Sequence, residues 1–309
     1  MVASKHQWKA WLYLSPAIVL LLIFTVWPII NTVRIAFLEG YNGMMVVGGT
    51  KFELGLGNFK TVMETGDLGK YLKNTILLCV LTVPLSTIIA LLIAVCLNSI
   101  KPFQRILQTI YFLPYVTNSI AIGMVFAAMF NTIGGVNFKD SWGIINNVIQ
   151  FFGGEPIIWI NQGSTYAANL AVMVIYIVWN ALPFKILILL GGLQSINKQY
   201  YEAARVDSAP RRRVFWKITV PLLSPMLAYV IITGFIGGFK EYTSIVGIFG
   251  EKMGPADDPG RLNTMVGYIY ESLENGMQGQ ASAAALILFG IILVVTLINL
   301  QVSKKKVHY

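Results

Sequence analysis

Charged residues are missing from six long stretches of this chain. No Asp, Glu, Lys or Arg occurs in 10–33, 74–100, 106–138, 156–184, 218–239 or 275–303. Each stretch is rich in Leu, Ile, Val and Phe, and each is long enough to cross a ~30 Å hydrocarbon layer, which takes a helix of roughly 20 residues. One charge at a helix centre costs about 2.5–3.5 kcal/mol on the insertion scale, whereas each Leu or Ile returns only about 0.3–0.6. Runs this clean are expected to insert. In hydrocarbon the backbone must bond to itself, so helices are the default. The strands of a β-barrel would alternate polar and apolar residues, and these runs do not. The pattern predicts an all-α, polytopic membrane helical bundle of six transmembrane helices in a single domain, 1–309. Its spans lie at about 11–35, 73–98, 107–131, 165–191, 218–246 and 280–302. The first run is too long for a secretory h-region, and no small-residue cleavage site follows it.

Composition agrees: 56% of the residues are hydrophobic and 12% charged, against about 25% charged in soluble domains. The few charges are sorted. With connections numbered alternately, one side carries 13 basic residues against two acids, and the other carries eight basic residues against eleven acids. The excess of Lys and Arg assigns the first side to the cytoplasm, with both termini there. That asymmetry accounts for the net charge of +9 without a nucleic-acid partner. Trp8, Trp11 and Trp27 stand near the ends of the first run, as interfacial anchors do. In the loop 132–164, the stretch Ser141–Phe152 places Trp142, Ile145, Val148, Ile149 and Phe152 at helical spacing, which predicts a short amphipathic surface helix. Cys79 and Cys96 fall on one predicted helix about 25 Å apart and cannot pair. No metal-ligand cluster is present.

One predicted cytoplasmic loop, 194–217, carries more information. Asn197 is a fair N-cap for a helix over Lys198–Val206, and Pro210 suits the start of a second helix running through Trp216. Asp207-Ser208 between them is a turn signal. Ala203, Ala204, Val206 and Phe215 give an apolar surface too small to bury itself, which suggests a protein partner. Glu202-Ala203-Ala204, then Asp207-Ser208-Ala209, then Phe215 and Ile218 through Val220-Pro221, resembles the coupling motif of permease subunits in binding-protein-dependent ABC importers. The family pattern is Glu-Ala-Ala-x-x-Asp-Gly-Ala, about nine residues, then Ile-x-Leu-Pro. Trp179-Asn-Ala-Leu-Pro-Phe184, Gly192-Leu-Gln194, Leu113-Pro-Tyr115 and Gly143-Ile-Ile-Asn146 extend the likeness toward the carbohydrate branch, over roughly 70–300. The resemblance implies that Glu202, Ala203 and Ala204 dock on a cytoplasmic ATPase while Asp207 and Ser208 form the elbow. Ser208 departs from the family's Gly. Gly reaches φ > 0 without steric cost, so Ser208 either avoids that conformation or carries strain. For Arg211–Arg213, positive-inside anchoring is a sufficient explanation.

Polar residues within spans are expensive and therefore point to function. Tyr115, Asn118 and Ser119 follow Pro114. Trp179, Asn180 and Phe184 surround Pro183. Gly237 and Gly238 precede Lys240, Glu241 and Tyr242, with Gly238, Glu241 and Tyr242 on one helical face. Each cluster joins an aromatic ring to a hydrogen-bonding group, the pairing a sugar needs for its ring face and hydroxyls. Maltose-type permeases bind sugar on the matching helices, which implies a site at Tyr115, Ser119, Asn180, Ala181, Phe184, Gly238 and Glu241. An acid at 241 departs from that pattern, and an ion pair of Glu241 with Lys185 or Lys240 is the competing account.

The resemblance as a whole implies the first-type permease subunit of a prokaryotic importer for a carbohydrate, in the first instance an oligosaccharide. Its expected partners are a second homologous permease, a cytoplasmic ATPase dimer, an extracytoplasmic sugar-binding protein and the lipid bilayer of the cell membrane. No Gly-x-x-x-x-Gly-Lys-Ser/Thr loop occurs, so no enzymatic chemistry or cofactor is expected in this chain, ATP being hydrolysed by the partner. A polyol or glycerol-phosphate importer is the near alternative. A secondary transporter would need relay acids in several spans and inverted repeats, which the sequence lacks.

Overall fold

A computed structural model describes residues 7–43, 45, 51–64, 67–100, 104–132 and 143–306. The chain forms helices α1 (Trp8–Ala36), α2 (Gly57–Glu64), α3 (Leu68–Ser99), α4 (Gln104–Val116), α5 (Ser119–Phe130) and α6 (Ile144–Phe151). These are followed by α7 (Tyr166–Ser195), α8 (Lys198–Val206), α9 (Arg211–Leu222), α10 (Ser224–Gly238), α11 (Thr243–Phe249), α12 (Met265–Glu274) and α13 (Gln278–Lys306). Four of them, α1, α3, α7 and α13, are each long and apolar enough to cross a membrane. They coincide with the first, second, fourth and sixth charge-free runs.

The third and fifth predicted spans are not straight helices. Between α4 and α5 the axis turns by 97°, and between α9 and α10 by 65°. The first bend has its cause at Asn118, whose extended backbone (φ −61°, ψ 122°) ends one helix while its side chain accepts from the amides of Ile120 and Ala121 to start the next. This is N-capping inside an apolar run. At the second bend, Pro225 lacks an amide and crowds the carbonyl four residues back, so the chain restarts at Ser224. The fifth span also ends at Gly238 rather than continuing to 246, and α11 begins afresh after Tyr242. There the Glu241 carboxylate accepts from the Ser244 amide at 3.1 Å.

Contacts group the chain into two compact units, 1–68 with 268–289, and 69–267 with 290–309. In the first, buried Asn58 of α2 ties that helix to the end of α1, donating to the carbonyls of Ala36 (3.1 Å) and Leu38 (2.6 Å). Trp8, Trp11 and Trp27 are all exposed. The second unit holds two apolar cores. One joins Leu78, Val172, Met173, Tyr176, Ile245 and Leu262. The other joins Ala90, Ala94, Leu189, Leu190, Leu223 and Val230.

The predicted surface helix is present as α6; Ser141 and Trp142 lie outside the described residues. Its apolar stripe is divided: Ile145 packs on the first core, whereas Val148 and Phe152 are exposed. The Gly143–Asn146 motif has a structural reason. A Cβ at Gly143 would sit 2.3 Å from the Met129 carbonyl oxygen, so only glycine lets α6 leave so close to α5. Asn146 is buried and gathers Ile157 and Trp159, donating to Ile157 O and accepting from Ile157 N and Trp159 Nε1 at 2.9–3.1 Å. Further along, Asn74 on α3 donates to the carbonyls of Arg261 and Asn263, while the Arg261 guanidinium bonds Ser164 O and Asn169 and pairs with Asp257 and Asp258. Arg261 beside Asp258 holds that carboxyl below its ordinary value.

Candidate functional site

A cavity of about 300 Å³ opens within the second unit, among α3, α4, α7 and α10. One wall is aromatic. The rings of Tyr115 and Phe184 stack at 5.7 Å between centroids and 19° between planes. Polar groups come from Thr82 and Ser86 on α3, Asn180 and Lys185 on α7, Thr233 on α10, and Glu241 just beyond it. The side of the cavity made by α10 is mostly backbone, because Gly234, Gly237 and Gly238 lie along it. A Cβ at Gly238 would come within 2.8 Å of the Cys79 sulfur. This arrangement offers an apolar plane to stack on, with donors and acceptors placed around it.

Of the residues picked out from sequence, Tyr115, Asn180, Ala181, Phe184, Gly238 and Glu241 line this one cavity. Asn118, Ser119 and Tyr242 do not. Asn118 is spent on capping α5. The Ser119 hydroxyl meets Tyr176 Oη at 3.1 Å and accepts from Asn180 Nδ2 at 3.3 Å, so it holds Asn180 from behind. Tyr242 packs against the core around Tyr176 and Ile245. Neither lysine pairs with Glu241, which makes no ion pair among the described residues. Lys185 turns instead to α3, donating to Ser86 Oγ (2.7 Å), Thr87 Oγ1 (2.9 Å) and Val83 O (3.1 Å).

The second feature is the loop of α8 and α9. Asn197 accepts from the Gln199 amide at 3.0 Å, capping α8 as expected. At the other end, the Ser208 amide donates to Arg205 O (3.1 Å) and the Ala209 amide to Ala204 O (2.9 Å). That is the Schellman pattern. Pro210, extended at φ −66° and ψ 146°, is the cap of α9 rather than its first residue. The helix then widens into a π turn at Phe215–Thr219, where Tyr201 of α8 meets the Thr219 hydroxyl at 3.2 Å. Glu202, Ala203, Asp207 and Ser208 are exposed, and Val206 is 85% exposed. Ala204 departs from the expected apolar surface. It is buried because the helix turns it inward.

The sequence matches a family described as the binding-protein-dependent transport system inner membrane component, over residues 74–308. The chain belongs to that family. It is therefore an inner-membrane, multi-pass transporter component. It is 29% identical to the Arabinooligosaccharides transport system permease protein AraP of Bacillus subtilis, covering 95% of this chain and 88% of that one. It is also 29% identical to the Lactose transport system permease protein LacF of Rhizobium radiobacter, over 94% and 91%. Among solved structures, a chain of a bacterial alginate ABC transporter in complex with its alginate pentasaccharide-bound periplasmic protein shares the fold. The TM-score there is 0.78, with 23% identity over 97% of this chain and 96% of that chain.

For a permease of this family, Ser208 is the informative departure. Its φ is +50°, so the residue takes the conformation that glycine adopts freely, and takes it with a side chain. Thr82 and Ser86 were not singled out from the sequence, and Lys185 was named only as a possible partner of Glu241, although a signal for each as a cavity group existed. Lys185 is the one charge within α7, and Thr82 and Ser86 are i,i+4 neighbours on one face of a mostly apolar run that also holds Thr87.

Proposed function

We propose that this permease is one of two membrane halves of an ATP-driven importer that carries an oligosaccharide through the cavity of α3, α4, α7 and α10. The observation that carries this reading is the Tyr115–Phe184 stack set beside Asn180 and Glu241. Sugars are held by such a pairing of ring face with polar groups. Relatives named for arabinooligosaccharides and lactose agree with it. Glu202 and Ala203, exposed beside Val206, are the docking face toward a separate ATPase. Ala204 supports that face from inside, and Asp207 with Ser208 forms the elbow. The remaining partners are a second homologous permease and an extracytoplasmic sugar-binding protein, with both termini of this chain in the cytoplasm. The permease itself hydrolyses nothing and holds no cofactor; its work is a change of access driven by its partners.

Uptake of labelled oligosaccharides into vesicles holding the whole importer tests the reading. ATP-dependent uptake that falls in Tyr115→Ala and Glu241→Gln, and loses its link to ATP hydrolysis in Glu202→Ala, is expected. Full uptake in both cavity variants removes the site, and uptake that survives ATP depletion removes the importer.

A further inference from the structure

We infer that the cavity takes an acidic saccharide, the Lys185 ammonium receiving a sugar carboxylate; this rests on the proposal that the cavity is the sugar path. Lys185 lies in the middle of α7, 4% exposed, in a segment that spans the membrane. Its three partners on α3 are all neutral, two hydroxyls and a carbonyl. Dipoles of that kind solvate a charge without cancelling it, and a buried charge without a counter-ion is costly. If the side chain only pinned α7 to α3, an amide or hydroxyl would do so more cheaply. Its partners are also replaceable. Ser86 Oγ donates back to Thr82 O at 2.6 Å and Thr87 Oγ1 to Val83 O at 2.7 Å, so both hydroxyls stay bonded when the ammonium turns to a ligand.

The approach is open on the cavity side. A Cβ at Gly234 would lie 3.3 Å from Lys185 Nζ and 3.0 Å from Val83 Cγ1; glycine there leaves the ammonium reachable. Glu241 lines the same cavity, where its carboxyl group can hydrogen-bond sugar hydroxyls. One substrate orientation follows, with the carboxylate at Lys185 and hydroxyls toward Glu241. A single ammonium matches a carboxylate's single charge. A phosphate monoester carries about −1.5 to −2 at neutral pH and would leave negative charge unmatched by the one ammonium.

The complete importer, reconstituted with its binding protein, is assayed for uptake of a labelled uronate oligosaccharide and of its neutral counterpart of the same length and linkage. Wild type is expected to take up the uronate. Lys185→Gln should lower uronate uptake about tenfold, the ratio expected for one lost charge-assisted hydrogen bond, while neutral uptake changes less than about twofold. Gly234→Ala keeps the charge but narrows the approach, and should raise KM for the uronate alone. Wild-type uptake confined to the neutral sugar overturns the inference and leaves the permease reading intact, as does an equal loss of both sugars in Lys185→Gln, the mark of a structural tether. If Lys185→Gln does not assemble, Gly234→Ala decides: a selective loss supports the inference, and no loss or a parallel loss overturns it. Uptake of neither sugar by wild type overturns both readings.

Discussion

Replacing Ser208 by glycine should stiffen the elbow between α8 and α9. Ser208 sits at φ +50°, and a left-handed conformation costs an L-residue about 1–2 kcal/mol. Against this, glycine loses about 0.5–1 kcal/mol more backbone entropy than a residue with a Cβ when it is ordered. Taken at the middle of both ranges, the net gain for Ser208→Gly is about 0.7 kcal/mol, equivalent to about threefold in the local opening equilibrium. The groups that report it are already bonded: the amides of Ser208 and Ala209 close the Schellman turn onto Arg205 O and Ala204 O. Hydrogen exchange followed by mass spectrometry on the full importer in nanodiscs reads them directly, since exchange needs the turn to open. Exchange of peptides covering 204–210 should slow about threefold in Ser208→Gly. Glycine at Ala203, in helical conformation, should speed it, because there it costs about 1 kcal/mol. Unchanged or faster exchange in Ser208→Gly would mean that the turn carries no strain, and the account of this departure from the family pattern would be wrong.

Two further outcomes concern the loops of the second unit. Gly143→Ala drives a Cβ to 2.3 Å from Met129 O and 2.7 Å from Met129 C, both backbone atoms that cannot rotate away. Overpacking of this kind costs about 1–3 kcal/mol, and a lowered Tm in detergent, followed by tryptophan fluorescence, is the check. For Asp258, the Arg261 partner lowers the folded-state value from its usual 3.8. The pair's contribution is thus complete above the ordinary carboxylate value and is lost as pH falls through the lowered one. Melting should become easier in wild type as pH falls below the ordinary carboxylate value and through the lowered one, and Asp258→Asn should flatten that part of the dependence.

How legible each part was depends on how local its causes are. Helix α8 could be read residue by residue, since Asn197 and the stretch up to Val206 carry their own cap and turn signals. The spans α1, α3, α7 and α13 followed from hydrocarbon length alone. The bend at Asn118 had a local signal, a strong N-cap residue after Pro114, but it was hidden inside an apolar run long enough to look continuous. Lys185 lies inside the predicted span 165–191, where the sequence offers it only as a partner for Glu241; its hydroxyl partners on α3 lie about a hundred residues away, beyond the reach of any local pattern. The bonds of Arg261 to Ser164 and Asn169 span more than ninety residues. No local pattern announces such a pairing; it exists only once the helices have placed both ends together. Ala204 shows the opposite limit, since the motif was recognised but its facing was not.

The packing between loop and cavity says how one could act on the other. Helix α7 carries Asn180, Phe184 and Lys185 at the cavity and Gly192 two turns further on. A Cβ at Gly192 would come within 2.7 Å of both Leu223 Cδ1 and Met226 Cγ, so α7 lies directly against the bend where α9 becomes α10. Leu223 is 1% exposed and belongs to the core formed with Ile186, Leu189 and Leu190 of α7 and Val230 of α10. Val230 also lines the cavity. Close-packed cores of this kind rearrange between discrete arrangements rather than deforming continuously. Leu223 touches both α7 and α10, the two helices that supply Asn180, Phe184, Lys185 and Thr233 to the cavity. On the proposed reading of the loop as the docking face, the bend in the fifth span is the joint that would pass its movement to the cavity wall.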